Sequence, residues 1–224
     1  MLSKKHRVLV VDMDMQANVS QMLYGQMGQP GGSVVEAIAY GVKRNENLFG
    51  CYHGDHCLDI IPSRDDLAMF TATEPKEYMV IDKMLQPIRD QYDFILLDTP
   101  PSLGSQLIAS LMASDFCILM TMTHPWAVDA AVRFTNRLQQ LQTYNERLQL
   151  LGVVIALFEK NAVNRKIANE IRTGYGDLVF DTLIHKRAPL AKMSMHGIKE
   201  NTSKQREALE QYAALAEEVI ERAK

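Results

Sequence analysis

Two short apolar runs, each ended by an aspartate, constrain this chain most. Val8–Val11 (VLVV) runs into Asp12, and Phe94–Leu97 (FILL) runs into Asp98. Neither run alternates apolar with polar residues, so neither fits a strand with one wet face. Short apolar runs of this kind fit strands covered on both sides. Other runs follow the same pattern: Leu58–Ile61, stopped by Pro62, then Phe116–Met120 and Leu151–Leu157. Val179–Leu183 reads as a further strand, and the first strand is placed at Arg7–Val11. Between the runs lie stretches with helical spacing. These are Gln16–Tyr24 closed by Gly25, Val34–Tyr40 capped by Ser33, Asp65–Phe70, Glu77–Asp90, Ser105–Ala113, Ala127–Leu141, Val163–Thr173 and Ser203–Ala223. Strands alternating with helices predict an α/β fold, a mostly parallel sheet with helices on both faces.

The chain has 224 residues, 47% hydrophobic and 23% charged, enough to bury a large core as one domain over residues 1–224. No Pro/Gly/Ser-rich linker, repeat or low-complexity tract divides it. No apolar run approaches a membrane span, and the N-terminal run lacks the small-residue cleavage site of a signal peptide. Three cysteines without framework spacing agree with a reducing, cytoplasmic setting. The net charge of −3 argues against a surface that binds nucleic acid everywhere. The charge is uneven, though. Glu159–Arg206 holds ten Lys/Arg against five Asp/Glu, so this segment is +5 and the remainder −8. Such a segment forms either a basic patch on one face or an ordinary solvated helical surface.

In open α/β sheets, ligands sit beyond the carboxyl ends of the strands. Asp12 and Asp98 fall at that edge, and Asp14 follows Asp12 by two residues. Carboxylates so placed can hold a metal-bound water or orient an attacking one, which is what phosphoryl transfer requires of a protein. The competing reading is structural: an aspartate at a strand end that caps the next helix. Asp98 is followed by Thr99-Pro100-Pro101, and proline stiffens that exit by fixing φ and removing N–H donors.

Longer segments add a resemblance. VLVVDMDMQANVSQML resembles the strand and D-x-D-P-Q-G-N segment of ParA-type partition ATPases, and YDFILLDTPPSLG resembles their Walker B region. LDIIPSRDDLA is similar to the strand and Pro-Ser turn between those motifs, and GDLVFDTLIHKRAPLAKMSMHGI to a later strand, basic turn and helix. The matches run in family order along nearly the whole chain. They imply a P-loop NTPase-like fold and an ATP- and Mg²⁺-dependent homodimer. That dimer binds nonspecific DNA on the nucleoid and answers to a ParB-like centromere-binding partner. By this resemblance Asp14 positions the lytic water, Asp12 and Asp98 serve the Mg²⁺ shell, and Thr99 lies at the nucleotide. Lys186, Arg187 and Lys192 become the candidate DNA contacts.

The chain also departs from the family pattern. The family's D-P-Q-G reads Asp14-Met15-Gln16-Ala17 here, and Pro189 stands where the family commonly carries Arg. Family members begin with a strand, a K-G-G-x-G-K-T/S loop and a helix ahead of the strand at Val8. No G-x-x-x-x-G-K-[ST] occurs among these 224 residues. That loop would supply backbone N–H groups, a lysine and a hydroxyl around the phosphates. The expectation is therefore a ParA-like chain, N-terminally incomplete or mis-started, or else a pseudo-ATPase acting as a regulator or scaffold. A membrane-surface relative like MinD is disfavoured by the acidic tail EQYAALAEEVIERAK. Cys51, His53, His56 and Cys57 read as a polar loop, with Zn²⁺ binding as the alternative. Trp126 reads as a core or dimer contact before a base-pocket residue, and the 13 methionines as core filler.

Overall fold

The computed structural model describes residues 1–24, 31–50, 58–190, 193 and 201–224. The chain divides into two compact units, one built on Met1–Ala113 and the other on Ser114–Met193 with the C-terminal residues.

The first unit carries a four-stranded sheet in the order β2-β3-β1-β4. Its strands are β1 (Val8–Asp12), β2 (Phe49–Gly50), β3 (Leu58–Ile61) and β4 (Phe94–Asp98). β1 runs parallel to both β3 and β4, and only the two-residue β2 is antiparallel. All five residues of β1 are buried, because helices cover both faces of this strand. One core gathers Leu9, Val11 and Met13 with α2 (Val34–Tyr40), α3 (Val80–Leu85) and α4 (Ser105–Ala113). The other packs Val8, Val10 and Ile60 against Leu2 and against Val19 and Leu23 of α1 (Asn18–Tyr24). Ser33 caps α2 as predicted, accepting from the Glu36 N–H. The helix predicted over Glu77–Asp90 shrinks to α3. Pro87 has no N–H to continue it, and a 3-10 turn at Arg89–Gln91 replaces its end. Asp65–Met69 is likewise 3-10 rather than α.

The second unit pairs β5 (Phe116–Met122) with β6 (Gln149–Ala156) in parallel, flanked by α5 (Ala127–Gln142), α6 (Ala162–Tyr175) and the terminal α7 (Ser203–Arg222). The predicted strand Val179–Leu183 does not form. The segment touches β6 through one isolated bridge, Val153 with Val179, and a second, Phe158 with His185, lies just past the ends of both. Phe180 N donates to Val153 O at 2.9 Å and Ile184 N to Ile155 O at 3.0 Å, a contact too intermittent to be a ladder. Gly152 explains part of this closeness: a Cβ there would lie 2.6 Å from Phe180 Cε2 and closer still to the Leu178 carbonyl oxygen. Arg222 then pins the segment. It donates to the carbonyls of Asp177, Leu178 and Val179, lies 4.2 Å from the centre of the Phe180 ring, and pairs with Glu218. Glu218 in turn accepts the N–H groups of Asp181 and Thr182.

The parallel α/β pattern is as expected, but β4 and β5 are not the fully buried strands their composition predicts. Each is the end strand of its sheet, and Leu96, Phe116 and Met120 are 41%, 41% and 55% exposed.

Candidate active site at the carboxyl edge of the first sheet

The register of β1 and β4 sets Asp12 directly opposite Asp98. Met13 N then donates to the Asp98 carbonyl at 2.8 Å, which ties the two strand exits together. Asp14 follows in the exit loop of β1, so all three predicted carboxylates lie at one sheet edge. Thr99 comes next after β4, half-buried.

Asp12 is wholly buried and accepts three hydrogen bonds. Its carboxylate accepts Asp14 N at 3.0 Å, Ser20 N at 2.9 Å and Ser20 Oγ at 2.6 Å. Ser20 is the third residue of α1, so Asp12 caps that helix from across the loop, satisfying an N–H the helix itself leaves unpaired. The structural alternative posed by the sequence is thus realised within the carboxylate cluster. Ser20 Oγ also accepts the Ser63 N–H at 2.9 Å, so one hydroxyl joins the exits of β1 and β3. Ser20 and Ser63 escape sequence reasoning, because a serine eight residues from an aspartate carries no spacing signal. Only the fold brings them together.

Asp14 accepts the Gln16 N–H at 2.9 Å, and its carbonyl takes the Ala17 N–H. Ala17, standing where the family carries glycine, has φ 52. The loop therefore keeps a left-handed turn that costs a residue with a Cβ about 1 kcal/mol more than glycine.

Asp98 differs from Asp12. Its side chain is exposed and has no hydrogen-bond partner among the described residues. Partial desolvation of the carboxyl, then the charges of Asp12 and Asp14, push it up to about 6. Burial also raises Asp12, against the pull of its hydrogen bonds with Ser20. Among the described residues no three His, Cys, Asp or Glu side chains form a group that could hold a metal ion. The unpaired Asp98 suits a hydrated cation, whereas Asp12 has used about three of its four acceptor positions.

The raised Asp98 has a measurable consequence. The folded chain binds this proton more tightly than the unfolded chain. Stability therefore falls as pH rises from about 4 to about 6, and the loss is complete above that range. Asp98→Asn is expected to be more stable than wild type at pH 7.5. The gain is about 1 kcal/mol, well below the full linkage value because the group is exposed. In urea unfolding the two proteins should converge below pH 4. An equal gain at both pH values would show that charge is not the cause.

The predicted cations lie in the second unit. Lys186 and Arg187 are exposed and each already holds a carboxylate, Glu159 at 2.8 Å and Glu207 at 3.2 Å. Lys192 and the Cys51, His53, His56 and Cys57 group lie outside the described residues. Trp126 is 68% exposed at the start of α5 and so is not a core residue. No helix among the described residues is long and apolar enough to cross a membrane.

A model of the AAA-domain family matches residues 1–150. The chromosome-partitioning ATPase Soj of Treponema pallidum is 27% identical, over 96% of this chain and 86% of its own length. The chromosome partitioning protein ParA of Myxococcus xanthus is 25% identical, over 98% of this chain and 79% of its own. Among solved structures, a plasmid partition protein from Borrelia burgdorferi B31 bound to AMPPNP superimposes with a TM-score of 0.79 at 23% identity. That match covers 99% of this chain and 87% of the other.

Proposed function

This chain belongs to the AAA-domain family, among its ParA/MinD-type partition ATPases, and we propose that it serves DNA partition as a dimer that binds DNA without regard to sequence. The partner implied is a ParB-like centromere-binding protein, and the setting is the cytoplasm, on the nucleoid. The observation that carries the reading is the opposed pair Asp12 and Asp98 on parallel neighbouring strands, with Asp14 beside them.

Each carboxylate has a distinct job in this proposal. Asp98, unpaired and open, takes part in the hydration shell of a divalent cation, with Thr99 beside it at the nucleotide. Asp12 holds Ser20 and Asp14 in place and reaches the cation only through its remaining acceptor position. Asp14, fixed by its bond from Gln16 N, orients the attacking water. Asp98 and Asp12 would hold a Mg²⁺ ion through its water shell, and such an ion would supply charge neutralisation at a phosphoryl group. DNA contacts fall to Lys186, Arg187 and Lys192.

These 224 residues carry no G-x-x-x-x-G-K-[ST] sequence to cradle phosphates, which sets what this polypeptide can do by itself. Phosphoryl-transfer catalysis rests on positioning and charge stabilisation, and that loop supplies most of both. The purified 224-residue chain is therefore expected to hydrolyse ATP no faster than buffer. Turnover well above buffer that Asp14→Ala abolishes would restore the catalytic reading for this polypeptide. Phosphate release with wild type and Asp14→Ala decides it.

A further inference from the structure

The basic turn of the second unit is built on a fixed backbone. Phe158 N donates to Ile184 O at 2.9 Å and Lys186 N to Phe158 O at 3.2 Å, so residues 158–160 and 184–187 leave side by side. His185 is held from both sides. Its N–H donates to Gln211 Oε1 at 2.8 Å, its carbonyl accepts Gln211 Nε2 at 3.3 Å, and its ring packs edge-on against Phe158. Three cations gather on this frame, Lys160, Lys186 and Arg187. Burial, then the charges of Lys160 and Arg187, holds the His185 imidazole below its usual range, which places both cations in its field.

Two carboxylates face these cations. Glu159 Oε1 lies 2.8 Å from Lys186 Nζ, and Glu207 Oε1 lies 3.2 Å from Arg187 Nη2. Lys160 has no carboxylate partner among the described residues. Resting on the DNA-binding reading above, we propose that this turn is a phosphate-chain site masked by its own carboxylates. Glu159 and Glu207 occupy Lys186 and Arg187, and a polyphosphate backbone binds by displacing them, with Lys160 the cation it meets first. Both ion pairs are exposed, and exposed pairs are weak enough for a phosphate chain to displace. The ligand chemistry is a row of phosphates, either a nucleic-acid backbone or a free polyphosphate.

The test compares wild type, Glu159→Gln/Glu207→Gln, Lys186→Glu/Arg187→Glu and Glu217→Gln. The last removes an exposed α7 carboxylate with no ion pair among the described residues. Each is titrated in about 0.1 M salt, where screening acts over about 10 Å, with two unrelated DNA duplexes and with inorganic tripolyphosphate. The double Gln variant is expected to bind about two- to fivefold more tightly for each pair freed. The Lys186→Glu/Arg187→Glu variant should lose binding, and Glu217→Gln should match wild type. Equal affinity of wild type and the double Gln variant for every probe overturns the masking. So does an equal gain from Glu217→Gln, which would make net charge the cause. If the duplexes bind wild type and fail on Lys186→Glu/Arg187→Glu while the Gln variants gain nothing, the masking alone is lost and the DNA reading stands. A gain seen only with tripolyphosphate supports the masked site and removes DNA as its ligand.

Discussion

Asp12→Ala is expected to destabilise the chain by about 2–3 kcal/mol. Asp12 is fully buried and accepts three hydrogen bonds, two of them from Ser20. Truncation strands the Ser20 N–H in the interior and frees a hydroxyl that also positions Ser63 N. An unsatisfied buried donor costs about 1–3 kcal/mol, and the Asp14 N–H adds a smaller share because it is only part-buried. An opposing effect lowers the total. Burial already disfavours the Asp12 carboxylate, as its raised pKa records, so removing it relieves some desolvation. Asp12→Asn keeps one carbonyl oxygen and should cost less, about 1 kcal/mol. Urea unfolding of the three proteins at pH 7.5 gives the order. An alanine variant as stable as wild type would mean that the carboxylate is held for chemistry alone and does not brace the loop.

The second large effect is expected at Gly152. An alanine Cβ there would sit 2.6 Å from Phe180 Cε2 and closer to the Leu178 carbonyl oxygen, which is backbone and cannot rotate away. Phe180 has no surface exposed, donates its own N–H to Val153 O, and carries Arg222 over its ring. Neither neighbour has room to yield, so the 178–180 segment must separate from β6. Overpacking of this kind costs about 1–3 kcal/mol, and the fixed backbone puts Gly152→Ala at the upper end. For a chain of this size that lowers Tm by about 6–12 °C in a thermal melt. A Tm within about 2 °C of wild type would show that the segment does not press on β6.

Sequence reasoning located the strands that deliver Asp12 and Asp98 because continuous apolar runs report burial directly. Their direct opposition became visible only with the register, since no sequence pattern says which strands pair. β2 escaped notice because two residues, Phe49 and Gly50, carry no periodicity. β4 and β5 read as buried because composition reports how apolar a strand is and is silent on whether it ends a sheet. At the site, residue type drew attention to three aspartates that the fold brings to one sheet edge, yet could not say how their surroundings differ. Asp12 and Asp98 end similar strands and look alike as letters. The carboxylate of one is engaged by Ser20 and Asp14; that of the other has no hydrogen-bond partner among the described residues. The cations show the same limit. Lys186 and Arg187 stand out in the sequence as a basic pair, while the glutamates that neutralise them lie 27 and 20 residues away and join them only through the fold.

The end position of β4 also bears on how firmly the two opposed carboxylates are held. Phe94 N donates to Arg7 O and the Asp98 carbonyl accepts Met13 N, so by strand alternation Phe94, Leu96 and Asp98 turn their amides toward β1. Ile95 and Leu97 turn theirs away, where no strand among the described residues meets them. β1 is laddered on both sides, and β4 on one. The free energy of local opening is set by such support, so the backbone under Asp98 should open far more often than the backbone under Asp12. The edge thus pairs a stiff carboxylate with a compliant one.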